Sequence, residues 1–219
     1  MRYRVFQRWI LVALCVLSVG LLGWPARTRA QTLGSITDTV TGSGGTVTGI
    51  VGGTTTVLGD TGTLPPGSVD ALYSEADSIS TSLVSADVPS ARVIGYADEI
   101  ASEAYLASVN LIIAGITIAA GSAEAAARAA LDGSSSDGTS YVSNLSVNGV
   151  TVLVDGTANQ TVSIPGGQLV LNERQVLSDG TMVVNALHAT VSGVADAVVA
   201  SATAGPSGGN ASAVQARTF

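Results

Sequence analysis

His188 is the single histidine of this 219-residue chain, so any acid–base chemistry near neutral pH would centre on it. In the segment from Met182 to Val191, alternation groups His188 with Met182, Val184, Ala186 and Thr190 on a mostly apolar face. An imidazole so placed is expected to be buried and hydrogen-bonded rather than to act as a base. Zinc sites gather several His or Cys ligands, and beyond residue 30 the sequence offers neither a second His nor any Cys. Glu173, in Asn172-Glu173-Arg174, is expected in a cross-strand ion pair or on a solvated edge, because glycosidic chemistry needs two carboxylates flanking one bond. His188, Asp196 and one of many serines would complete a Ser–His–Asp set arithmetically, but no nucleophile-elbow pattern supports it. Asn185 lies on the opposite face from His188 in an ideal strand, and only a bulge would bring them together.

Asp132, Ser134, Ser136 and Asp137 present oxygens at near-alternating positions, loosely like a calcium loop. The further Asp or Asn and the terminal bidentate Glu of that pattern are missing, so a turn is expected. Asn144-Leu-Ser, Asn159-Gln-Thr and Asn210-Ala-Ser are glycosylation triplets in form only. No catalytic, cofactor-binding or metal-ligating residue is assigned.

The first thirty residues read as a signal peptide. Arg2, Arg4 and Arg8 form a cationic start, sixteen mostly apolar residues run from Trp9 to Trp24, and Pro25 precedes the small-residue site Thr28-Arg29-Ala30. A transmembrane helix needs ~20 apolar residues, so cleavage after Ala30 is expected rather than a permanent anchor. Cys15 follows Leu14 inside the apolar run and belongs to the leader. Removing residues 1–30 leaves four arginines and no lysine against sixteen acidic residues, a formal net charge of −12. Nucleic-acid binding draws on Lys and Arg to neutralise phosphates, so that class of partner is excluded, as is docking on anionic lipid. Without cysteine there is no disulfide framework, and the core must hold the fold.

Residues 32 to 68 contain ten glycines and eleven threonines. Sparse apolar residues among so much glycine predict a flexible spacer over residues 31–68, although Thr39-Val-Thr-Gly42 and Thr46-Val-Thr-Gly49 hint at a short β-repeat. Beyond it, Tyr105, Ala107, Val109, Leu111 and Ile113 alternate with Ser108 and Asn110, which predicts a half-buried strand continued by Ile116-Thr-Ile-Ala119. From Ala119 to Ala130 eight of twelve residues are alanine. Propensity slightly favours a helix there, with Glu124 and Arg128 paired at i,i+4. A strand would put Ala123, Ala125, Ala127, Ala129 and Leu131 on one face. Asn148-Gly149 predicts a type I′ hairpin setting Val147 against Val150 and Leu145 against Val152. Gly166-Gly167 predicts another, setting Ile164 against Leu169 and Val162 against Leu171. Asp155-Gly156 and Asp179-Gly180 supply further turns. Ala197 to Thr203, small or apolar on both faces, reads as a strand between two neighbours. Seven or more short strands without a βαβ rhythm predict an all-β, antiparallel sandwich or partly closed barrel built from hairpins.

Asn159-Gln-Thr-Val-Ser-Ile-Pro-Gly-Gly-Gln168, Leu171-Asn-Glu173, Val184-Asn-Ala-Leu-His188, Val194-Ala-Asp196 and Ala200-Ser-Ala-Thr-Ala-Gly205 resemble the choice-of-anchor P family of bacterial exported proteins, as do Ser102-Glu-Ala104 and Asn110-Leu111 upstream. The resemblance covers roughly residues 70 to 205 and tips Ala119–Ala130 towards a strand. It implies an exported β-rich domain at residues 69–205 and no established activity. The tail, residues 206–219, lacks a hydrophobic span and a sorting pentapeptide, and is expected to be frayed, which favours free secretion over attachment. The expectation is therefore a secreted or surface-associated, non-enzymatic protein with a structural or adhesive role, binding an unknown surface or matrix partner or another copy of itself, with no cofactor. The alternative is a secreted hydrolase acting on envelope polymers.

Overall fold

The computed structural model describes residues 40–206, and among these every regular element is a strand. The fourteen strands are β1 (Val40–Val51), β2 (Thr54–Asp60), β3 (Ala71–Glu75), β4 (Ser78–Ser80), β5 (Val84–Gly95), β6 (Glu99–Ile113) and β7 (Ile116–Ala130), followed by β8 (Ser136–Ser143), β9 (Ser146–Val147), β10 (Val150–Thr151), β11 (Gln160–Ile164), β12 (Gly167–Val176), β13 (Met182–Val191) and β14 (Ala195–Pro206). They form two antiparallel sheets, one six-stranded in the order β11-β12-β13-β14-β1-β2, the other eight-stranded and built around β7-β6-β5. Strands β1, β13 and β14 pack across β5, β6, β7 and β8, so the molecule is a sandwich.

The spacer expected over residues 31–68 is corrected by the structure. From Val40 to Asp60 the chain forms β1 and β2, and β1 lies inside the sheet, paired with β14 on one edge and β2 on the other. Its glycines serve proximity rather than flexibility. A Cβ on Gly44 would lie 2.7 Å from the Glu103 carbonyl oxygen, and one on Gly42 would lie 2.6 Å from Ile100 Cγ2. The domain therefore includes β1 and does not start at residue 69. Ala202, Ala204, Ala91, Ala104, Ala125 and Ala127 line the same closely approached core. One inter-sheet hydrogen bond crosses it, from buried Ser102 Oγ to the Thr203 carbonyl at 2.6 Å. This crowding also explains why Ala119–Ala130 is a strand. Ala123, Ala125, Ala127 and Ala129 face the core between β6 and β8, where a bulkier face would not fit, and packing overrides helix propensity.

The signal peptide assigned to residues 1–30, the first part of the spacer and the tail beyond Pro206 lie outside the described residues. Pro206 itself ends β14, opposite Val40.

Both sheets carry a seam where the alternation changes phase. In the six-stranded sheet it runs through Asn172, Ala186, Ala200, Thr46 and Gly59, consecutive partners by register on five adjacent strands. Asn172, Ala200 and Gly59 have φ of +50°, +55° and +60°. A left-handed residue inside a strand reverses the pleat and leaves two consecutive side chains facing one way. Leu171-Asn172 and Val199-Ala200 are such doubly buried pairs, and Ala186-Leu187 and Thr46-Val47, on the strands beside them, are doubly buried without a left-handed residue of their own. Because the reversals stack in one row, the register on either side is unchanged. The eight-stranded sheet has its own row through Ser108, Gly121 and Asn144, with φ of +49° at Ser108 and +48° at Asn144. Val109, Leu111 and Ile113 face the core as the alternation predicts, but upstream of Ser108 the inward residue is Leu106, not Tyr105 or Ala107.

The Asn148-Gly149 hairpin forms with Val147 opposite Val150, although Val150 is exposed. The next hairpin turns one residue earlier than expected, through Pro165 and Gly166, so Ile164 pairs with Gly167 and Val162 with Leu169. Proline pre-sets φ at the first turn position and Gly166 takes the positive φ that follows. A two-residue slip keeps every side chain on its expected face.

Candidate functional site

His188, Glu173, Asp196 and Asn185 come together on the face of the six-stranded sheet that points away from the core. Glu173 is directly opposite Asn185 between β12 and β13, and Asp196 is opposite Thr190 between β13 and β14. The seam passes between Ala186 and Leu187. It therefore puts Asn185 and His188 on one face, which the sequence alone set on opposite faces. His188 leaves the apolar set of Met182, Val184 and Ala186 and stays with Thr190.

The imidazole is held at both ends. Nδ1 lies 2.8 Å from Glu173 Oε2 and Nε2 lies 2.8 Å from Asp196 Oδ1. Asn185 Nδ2 donates to the same Glu173 oxygen at 2.7 Å. The three side chains are each about a quarter exposed, at 22%, 25% and 23% for His188, Glu173 and Asp196. Burial by itself would lower the histidine's pKa. The hydrogen bonds to Asp196 and Glu173, with their two negative charges, outweigh it and push it up to about 9. At neutral pH His188 is thus an imidazolium whose two N–H groups both donate to carboxylates. It has no lone pair for a metal or for a substrate proton. Thr190 Oγ1 is 3.5 Å from Nε2, a nitrogen already engaged with Asp196.

A second polar cluster spans the two sheets beside this one. Asn172 Oδ1 accepts from Ser140 Oγ at 2.9 Å and from Arg174 Nε at 3.1 Å, and its Nδ2 donates to the Gly156 carbonyl at 3.1 Å. Asn159 Oδ1 accepts from Arg174 N at 2.9 Å. These bonds tie the loop around Asp155-Gly156 to β12 and form the floor of a cleft of about 600 Å³ between β8 and residues 151–156. Asp155 is the one carboxylate lining it, with Oδ1 accepting from Thr157 N at 2.8 Å and Thr157 Oγ1 at 2.7 Å, and His188 is not among the lining residues.

The calcium-like stretch is a turn at Asp132 and Ser134 that enters β8 at Ser136 and Asp137. The hydroxyl and then the backbone N–H of Ser134 hold the Asp132 carboxyl below the usual range, with Ser134 N donating to Oδ1 at 2.9 Å, while Ser136 Oγ donates to Gly180 O at 3.1 Å. Asp137 accepts from Gly138 N, so the oxygens serve separate bonds. Among the described residues no group of three His, Cys, Asp or Glu is arranged to hold a metal ion. Of the glycosylation triplets, Asn144 and Asn159 are positive-φ turn residues and Asn210 lies outside the described residues.

The seam was the missing signal for this site. Adjacent apolar pairs such as Val199-Ala200 and Ala186-Leu187 could have announced it. Comparison of the chain with family models, with curated proteins and with solved structures finds no match.

Proposed function

We propose that the chain is an exported, non-enzymatic protein with a structural or adhesive role outside the cytoplasm. One observation carries the non-enzymatic part: its only histidine is saturated by two carboxylates, so the residue best suited to proton transfer serves as a cross-strand cation. A cation set between β12 and β14 draws three neighbouring strands together. Export is supported by the composition of residues 1–30 and by the quoted blocks that resemble choice-of-anchor P proteins. The acid-rich composition argues against nucleic-acid and anionic-membrane partners.

Two measurements test the reading. Fractionation of cells and medium, with N-terminal sequencing of the product, is expected to find a chain starting at Gln31 outside the cytoplasm; retention of the intact leader inside the cell would overturn export. A screen against envelope polysaccharides and peptides is expected to detect no turnover. Turnover abolished by His188→Gln would replace this reading with the hydrolase alternative.

A further inference from the structure

Every aromatic residue among the described residues is exposed. Tyr73, Tyr96, Tyr105 and Tyr141 are 59%, 44%, 37% and 61% exposed, and the core contains no Phe, Trp or Tyr. Aromatic side chains bury the largest areas available to a fold. A sandwich that fills its interior with Ala, Val, Leu and Ile while leaving all four rings in water gains little stability from them. Their value lies at an interface, where tyrosine is enriched.

Tyr73, Tyr105 and Tyr141, on β3, β6 and β8, belong to the face of the eight-stranded sheet turned away from the core, and Tyr96 is in the turn between β5 and β6. Glu75, Ser90, Tyr105, Glu124 and Tyr141 stand in one cross-strand row over β3, β5, β6, β7 and β8. The neighbouring row begins Tyr73, Arg92, Glu103. Between the rows lies a groove of about 290 Å³ bounded by Glu75, Arg92, Glu103, Tyr105 and Glu124. Arg92 is committed to Glu103, with Nε 2.9 Å from Oε2, and Arg128 to Glu99 at 3.7 Å. Among the described residues Glu75 and Glu124 have no ion-pair partner. Glu124 stands between Tyr105 and Tyr141 in the row, a carboxylate flanked by two exposed rings.

We infer that this face binds a short basic segment of a partner protein, with Lys or Arg side chains set over Tyr105 and Tyr141 and paired with Glu124 and Glu75. Ring faces attract cations, and unpaired carboxylates supply charge complementarity. Five strands span ~20 Å, which suits one extended segment better than a globular surface, for a standard interface takes ~800 Å² from each partner. A second copy is a poor occupant. The described residues contain only three arginines and no lysine, so two such faces would repel. This inference rests on the adhesive reading and gives it a partner chemistry.

The test uses the chain starting at Gln31 and an alternating Lys-Ser octapeptide, with calorimetry at low and physiological salt. Saturable binding that weakens with salt is expected. Tyr105→Ala, Tyr141→Ala and Glu124→Gln should each weaken it by about fivefold, while Asp60→Asn, at the end of β2 in the other sheet, leaves it unchanged. Equal losses in Asp60→Asn, unchanged affinity in the tyrosine variants, or binding of a neutral oligosaccharide in place of the peptide would each overturn the proposal. All variants are to be checked for unaltered melting temperature. Failure here in a protein still recovered from the medium would count against this face alone and leave the export reading in place.

Discussion

His188 sets a clear pH dependence. Its folded-state pKa, about 9, exceeds the ordinary value of 6.5, so its contribution to stability is complete below pH ~6.5 and is lost as the pH rises through ~9. The shift corresponds to at most ~3 kcal/mol, and partial exposure of all three side chains trims it to about 1–2 kcal/mol. Urea midpoints should therefore fall between pH 6 and pH 9.5 and fall much less in His188→Gln. Because the chain has a single histidine, one imidazole resonance followed by NMR gives its pKa directly; a value at or below 6.5 would contradict the two-carboxylate geometry. Ser102 provides a second residue-level check. Its buried hydroxyl satisfies a carbonyl on the opposite sheet, and Ser102→Ala should cost about 1–2 kcal/mol in chemical denaturation.

At the scale of the element, the seams are the feature that strand propensity does not foresee. Ser108 is exposed and left-handed on β6. On propensity alone a β-branched residue there should strengthen the strand. The backbone reverses that expectation: Ser108→Val should destabilise by about 1–2 kcal/mol, because a β-branched residue tolerates φ near +50° poorly, while Ser108→Gly should be neutral or slightly stabilising. Thermal melts of the two variants would separate the accounts. Gly44 tests the close approach of the sheets in the same way. A methyl group would meet the Glu103 carbonyl oxygen at 2.7 Å, so Gly44→Ala should cost about 1–3 kcal/mol through overpacking, despite alanine's gain in chain entropy.

For the whole molecule, β1 is the closing piece, since the last strand of the domain pairs with the first. A chain beginning at Val69 would leave β14 as an unpaired hydrophobic edge and uncover Ala91, Val93 and Ile100 of the opposite sheet, on which β1 packs. It should aggregate or lose its β signal in circular dichroism, whereas a chain beginning at Gln31 should be monodisperse by size exclusion. Equal behaviour of the two would show that residues 40–60 are dispensable after all.

The amino-acid sequence by itself determined the class of fold and most of the hairpins, because those depend on neighbours a few residues apart. Asn148-Gly149 needs only its own backbone preferences to turn, and alternation along Val109, Leu111 and Ile113 marks a buried face without reference to any partner. The two-residue error at Pro165-Gly166 was harmless for the same reason, since the face repeats every second residue. Three things were decided only by the tertiary structure. Glycine and threonine over residues 40–60 resemble a linker until an opposing sheet lies within van der Waals distance of Gly42 and Gly44. Alanine from 119 to 130 is helical by propensity until it is paired on both sides. Asn185 and His188 stand on opposite faces of any ideal strand, and their meeting with Glu173 needs a row of pleat reversals coordinated across separate strands, which no single segment encodes alone.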